Sequence, residues 1–257
     1  VQAAAAVFAP PPQLPSTWLL ALVLNAGLIG LAQRLPLLTP AGWVHAGILG
    51  TVLGGTLGFR GWLAVVGYLV LGSLVTRLGF RRKQEAGLAE GRGGRRGPEN
   101  VWGSAATGTV LALLSVVLAP AWRPLLLLGF VASFAAKLAD TFGSEIGKRW
   151  GRHTLLITTL RPVPAGTEGA VSVEGTAASL VGSALMAAWM AALGLLQGWG
   201  DGLLVAGVGL AATLLESVIG ATVQSRLAWL SNEAVNALQT TLAAALAMAI
   251  RLVCAAV

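Results

Sequence analysis

The sequence predicts an all-α, polytopic transmembrane helical bundle of seven or eight spans. Of its 257 residues 56% are hydrophobic and only 11% charged, and the mean hydropathy is +0.78, a balance that a domain with an ordinary water-facing surface does not keep. Several runs reach the roughly 20 apolar residues that a helix needs to cross the hydrocarbon core. The alternating, turn-punctuated pattern of a membrane barrel is absent, and helices satisfy their own backbone hydrogen bonds in lipid.

Taken in order, the spans are Thr17–Ala32, Ala41–Phe59, Gly61–Gly79, Val101–Ala119, Leu125–Phe142, Val171–Leu196, Gly202–Val223 and Ala234–Ala256. Residues 1–16 form an Ala/Pro-rich extension without the basic region of a secretory signal, and 17–257 form one transmembrane domain. The second and third spans meet at Arg60–Gly61 with almost no loop, so one is short or broken, or the two make a tight hairpin. Small residues such as Gly47, Gly50, Gly54 and Gly55 suit close helix contact in lipid.

Charge is distributed unevenly. Alternating the loops between two sides puts Arg34, the Arg77–Arg96 loop, the Lys148–Arg161 loop and Arg226 together, and leaves Arg60, Arg123 and Arg251 opposite. The positive-inside rule makes the first set cytoplasmic, with long loops at 80–100 and 148–170 and both chain ends on the other side if there are eight spans. The formal charge of +7 is therefore read as membrane orientation and not as nucleic-acid binding. Nearly all the acids share the basic side, which orientation does not require. Cys254 stands alone, excluding an intramolecular disulfide or a CxxC site, and His45 and His153 show no ligand spacing.

Four stretches carry chemistry. The fifth span runs into Lys137, Asp140, Thr141, Ser144, Glu145 and Lys148, with Asp140, Thr141 and Ser144 on one helical face. A charge in the bilayer costs about 2.5–3.5 kcal/mol on insertion scales, so such residues face a cavity or a partner; simple pairing of Lys137 with Asp140 is the plainer alternative. Next, Pro164, Gly166, Thr167 and Gly169 set a turn before Ser172 and Glu174 open the following span. Hydroxyls and free N–H groups there suit a phosphate, and equally suit ordinary capping. The stretch from Arg81, Arg82 and Lys83 through Glu90 to Asn100 is a glycine-spaced run of cations, fit for a polyphosphate or for anionic headgroups. Finally, Glu216 lies inside the seventh span, and Asn232, Glu233 and Asn236 open the last. Soluble-enzyme signatures such as GxxxxGK[ST], HExxH and GxSxG are missing, so phosphoryl transfer here would need carboxylates, Mg2+ and the basic loop.

The segments Ala139 to Gly147, Pro164 to Ser172, and Arg81 to Val101 resemble the integral membrane family containing plant and cyanobacterial phytyl-phosphate kinase. The resemblance runs from Leu24 to Asn236. More distantly, Asp140 to Lys148 followed by Val173 to Thr176 is similar to a segment of phytol and dolichol kinases. The resemblance implies transfer of a phosphoryl group from CTP or another NTP to an isoprenyl monophosphate lipid, giving the diphosphate. It implies Mg2+ on Asp140 and Glu145, and phosphate neutralisation by Arg81, Arg82, Lys83 and Lys148. The Gly/Arg-rich stretch 92–97 departs from the family pattern and receives no role. A cytidylyltransferase-like enzyme on a lipid phosphate and an ion-coupled transporter are the alternatives.

Overall fold

The computed structural model describes residues 15–224, 227 and 230–256; Arg226 and most of the N-terminal extension lie outside them. The long helices are α1 (Pro15–Ala32), α2 (Pro40–Arg77), α4 (Pro98–Val117), α5 (Arg123–Trp150), α6 (Val173–Ala192), α7 (Trp199–Thr222) and α8 (Asn232–Ala256). A short α3 (Phe80–Glu85) and a 3-10 turn at Gly91–Gly94 lie between α2 and α4, and a two-residue hairpin, β1 (Leu155–Leu156) with β2 (Ala170–Val171), lies between α5 and α6. Among the described residues six helices are long and apolar enough to cross a membrane, with α1 as a shorter apolar helix. Their outward faces carry exposed large apolar side chains such as Leu31, Val117 and Trp199, as a lipid-solvated surface does.

Helix α2 is two spans, folded back at Gly58. Its 38 residues would run about 57 Å if straight, nearly twice the hydrocarbon thickness. Gly58 instead takes φ 66°, ψ −158°, a conformation open essentially to glycine alone. A Cβ on Gly61 would lie 2.7 Å from the Leu53 carbonyl oxygen, which no straight helix permits. Asn25 of α1 pins the two arms together: its amide donates to the Gly47 carbonyl and to Thr51 Oγ1 (3.2 Å), while Trp62 Nε1 donates to its Oδ1 (3.1 Å). The far ends of both arms return to Arg96, with Gly42 against its carbonyl and Gly72 against its guanidinium. The tight-hairpin alternative at Arg60–Gly61 is thus realised two to three residues earlier, and the eight apolar segments of the sequence are all present.

Helix α5 is the hub. In its most apolar window 89% of residues are buried, against 28–39% in the other spans. It packs on α6 through small residues. Gly143, Gly147 and Gly151 face Ser172, Gly175 and Ser179, and a Cβ on Gly143 would sit 2.1 Å from Ser179 Oγ. Lipid-like packing of this kind depends on close backbone approach. The helix also continues past the expected end at Phe142 to Trp150, because its polar last turns line a cavity and pack on α6 and so need not leave the bundle. Ser144, Glu145 and Lys148 are therefore helical. The loops alternate as the charge count requires: residues 33–39, 78–97 and 151–172 gather at one end, while Gly58, Arg123 and the Asp201–Arg251 pair mark the other.

Candidate active site

At the end where the long loops meet, the bundle opens into a cavity of about 360 Å³. It is bounded by the loop ends of α5 and α7, the starts of α4, α6 and α8, and the loops at 90–96 and 165–172. Apolar side chains form most of the bundle core, and Lys137, Asp140, Glu145 and Glu216 all reach this cavity.

At its inner end sits Lys137, with a side chain 9% exposed. Its ammonium donates to Asp140 Oδ2 at 2.5 Å and to Asn236 Oδ1 at 2.8 Å. Asp140, Glu168 and Glu216 all line the cavity. Below this layer Gln239, fully buried, donates to the Ala136 carbonyl at 3.2 Å and to Thr213 Oγ1 at 3.1 Å.

The rim is basic. Arg92, Arg95 and Arg96 line it from the loop before α4, and Lys148 lines it from α5, where its ammonium meets Glu90 at 3.4 Å. The loop is held in place from several directions. Arg92 pairs with Glu99 and donates to Asn100 Oδ1 at 2.9 Å; Asn100 in turn accepts from the Gly97 N–H and donates to Glu233 Oε1 at 3.1 Å. Arg96 donates to the Tyr68 hydroxyl at 3.1 Å, with its guanidinium 5.4 Å from the ring centre. Backbone bonds tie Arg96 to Leu37 and Thr39 at 3.1 and 3.0 Å. Arg92 itself has φ 55°, backbone strain for a non-glycine residue that these bonds hold.

The opposite wall is the 164–172 turn. Thr167 N–H and Oγ1 both donate to the Pro164 carbonyl, Ala170 N–H returns to Thr167, and Ser172 caps α6 by accepting from Gly175 N–H at 3.1 Å. Gly169 has φ 74° and is pressed against α7, where a Cβ would lie 2.4 Å from Ala221 Cβ and 2.5 Å from the Ser217 carbonyl oxygen. The start of α6 borders the cavity through Ser172, Gly175 and Thr176, with the Gly175 and Thr176 N–H groups already donating to Ser172 Oγ and to the Ser172 carbonyl.

The structure therefore brings Glu90, Asn100, Asp140, Thr141, Ser144, Glu145, Lys148, Gly166, Thr167, Gly169, Ser172, Glu216, Asn232, Glu233 and Asn236 onto one cavity. It does not place Arg81, Arg82, Lys83, Pro164 or Glu174 on that wall. Arg81 and Arg82 are exposed on α3, and the Glu174 carboxylate accepts from the Arg152 N–H at 3.4 Å. Lys83 is buried, donating to Glu145 and to the Thr76 carbonyl. Glu145 is thus occupied by an ion pair. Sequence reasoning passed over Arg92, Arg95, Arg96 and Tyr68. The Gly–Arg alternation was a visible signal for the arginines; Tyr68 reaches them only through the Gly58 fold, which no local pattern announces.

Among the described residues no three His, Cys, Asp or Glu side chains converge as a self-sufficient metal centre would. A Mg2+ ion that shares its sphere with phosphate oxygens and water needs only one or two carboxylates, and Asp140 and Glu216 are the ones on the cavity wall that could supply them.

A polytopic helical membrane protein with an ionic cavity open at the loop-rich end of the bundle is the class these features define. The chain belongs to the family of integral membrane proteins designated DUF92, whose model matches residues 23–244. It is 49% identical over 235 residues to the uncharacterized membrane protein sll0875 of Synechocystis, covering 91% of each chain. It is 41% identical over 215 residues to the chloroplastic protein VTE6 of Arabidopsis thaliana, covering 82% of this chain and 64% of that one. The archaeal membrane protein MJ0933 of Methanocaldococcus jannaschii is 32% identical over 203 residues, 77% of this chain and 79% of its own. No solved structure matches.

Proposed function

We propose that this protein is a prenyl-phosphate kinase, transferring the terminal phosphoryl group of CTP or another NTP to an isoprenyl monophosphate such as phytyl phosphate. The observation that carries the reading is the cavity itself, a basic-rimmed, carboxylate-lined space at the water-facing end of a bundle otherwise built for lipid. The family motifs and the kinship with VTE6 support the prenyl-lipid assignment.

An oxygen of the acceptor phosphate attacks the γ-phosphorus. The new P–O bond forms as the bond from γ-phosphorus to the β–γ bridging oxygen breaks, and that oxygen keeps the electron pair and leaves with the NDP. The acceptor oxygen is already ionised at neutral pH, so the protein's part is to align the two phosphates and offset their charge. Arg92, Arg95, Arg96 and Lys148 neutralise the polyphosphate, the guanidinium forks matching phosphate edges. The turn through Gly166 to Ser172 orients it. Asp140 and Glu216 would hold Mg2+ against the phosphate oxygens, where it would neutralise charge on the transferred group. Glu145, paired with Lys83, holds the basic loop against α5. On this reading the cavity faces the cytoplasm, with the nucleotide supply.

Purified protein incubated with Mg2+, each NTP in turn and a panel of prenyl monophosphates should yield NDP and the prenyl diphosphate by mass spectrometry. Pyrophosphate with a nucleotide-linked lipid would make it a cytidylyltransferase, and turnover of no lipid phosphate would end the enzyme reading.

A further inference from the structure

The cavity offers two chemically different places for phosphate. The rim carries four cations, and Arg92 and Arg95 are exposed. The inner end lies about 20 Å along the α5 axis from Trp150 and has one compact cation, Lys137, among hydrogen-bonding groups. Two of the three Lys137 N–H bonds have acceptors, Asp140 and Asn236. Tyr68 lines the same end, and its oxygen accepts from Arg96. Among the described residues its own O–H meets no acceptor within hydrogen-bonding distance. Phe134 stacks edge-on beneath it at 5.6 Å. The third ammonium N–H and the phenol O–H are therefore available together for an oxyanion, while Arg96 stays with the rim.

We propose that this inner end is the seat of the acceptor lipid's monophosphate, with Lys137 as its direct ionic contact and Tyr68 as a second donor, while the rim takes the nucleotide. The assignment rests on the kinase reading and divides its site in two. A polyphosphate carries several charges, enters from water and suits several guanidinium forks. A monophosphate carries less charge, a single ammonium balances more of it, and desolvation at the buried inner end strengthens the contact. Lys137 is already held on two sides, so little side-chain freedom is lost when the third N–H binds.

The test measures binding without turnover. Wild-type protein and Lys137→Met in lipid nanodiscs are titrated separately with phytyl monophosphate and with CTP, following tryptophan fluorescence. Loss of one charge-assisted contact predicts a Kd for phytyl monophosphate raised about tenfold or more, with the CTP Kd changed by less than about twofold. Lys137→Arg should recover part of the loss, and Tyr68→Phe should weaken the lipid phosphate alone. A Lys137 that serves only to neutralise Asp140 would leave lipid binding equal in Lys137→Met/Asp140→Asn and Asp140→Asn, where no uncompensated carboxylate remains. If Lys137→Met does not fold, Lys137→Met/Asp140→Asn carries the comparison against Asp140→Asn, and if both fail Tyr68→Phe decides the question by the same readout. Unchanged lipid-phosphate binding, or a selective loss of CTP binding, overturns the assignment, as does a wild type that binds no lipid phosphate. Product formation is scored separately: diphosphate made by wild type beside normal lipid binding in Lys137→Met removes only this inference. Lipid binding through Lys137 without any diphosphate removes only the kinase.

Discussion

Replacing Lys83 by Met leaves the Glu145 carboxylate without its partner in a place where both side chains are nearly closed to water, at 1% and 3% exposure. Helix α3 is six residues long, starts from Gly79 at φ 62° and has no side-chain cap, so little else in its own turns holds it. The ammonium of Lys83 reaches Glu145 on α5 and the Thr76 carbonyl at 2.8 Å, and thereby fastens the start of the basic loop to the central helix. Breaking a buried pair from one side costs about 3–5 kcal/mol, whereas replacing both members by apolar groups is close to neutral. Because the loss is local, it can be read from native-state cleavage of the purified protein by trypsin at Arg81 and Arg82, which requires α3 to open. At 1.36 kcal/mol per decade, Lys83→Met should speed cleavage by about 2.2 to 3.7 decades, and Lys83→Met/Glu145→Leu should return it toward the wild-type rate. A single variant cleaved no faster than wild type, or a double variant worse than either single, would refute the reasoning. Glu145→Gln keeps an acceptor for Lys83 and should fall between.

Gly169→Ala should abolish at least about nine-tenths of turnover while leaving the bundle folded. Its Cβ would strike α7 at Ala221 and Ser217 from a backbone with φ 74°, displacing the phosphate-seating turn; kcat and circular dichroism check the two halves of that statement. For sidedness, cysteines placed at the exposed Gln84 and His153 positions, with Cys254 replaced by Ser, should resist an impermeant thiol reagent in intact bacterial cells and react once the membrane is opened. Labelling of either in intact cells would put that loop outside and break the nucleotide-side assignment.

The spans were legible because hydropathy and length alone decide them, and the near-absent loop at Arg60 already pointed to a fold-back. The grouping of loops followed from counting cations. The extension of α5 to Trp150 was not legible, since hydropathy falls at Asp140 whether a helix ends or turns its polar face to a cavity. The same limit applied to Lys83: in sequence it is one cation among several, and only the contact with Glu145, 62 residues away, takes it out of solvent. Thr141, Ser144 and Asp140 could be placed on one face from spacing, because a helix fixes that relation. The arginine rim could not be joined to Tyr68, because that contact depends on the tertiary return of α2.

The fold-back at Gly58 also bears on how the protein is made. Two arms of 18 and 19 residues joined by a single glycine leave no polar loop to rest in water between them, so they enter the bilayer as one unit with α1 clamped across them by Asn25. Everything that seats Arg96 within its own loop's reach, namely Leu37, Thr39, Tyr68 and Gly72, has been synthesised before Arg96 leaves the ribosome. The basic rim can thus dock onto a finished brace while α5, with Lys137 and Asp140, is still to come. The costly charges of the central helix then arrive beside cations already in place, and they need never cross bare hydrocarbon.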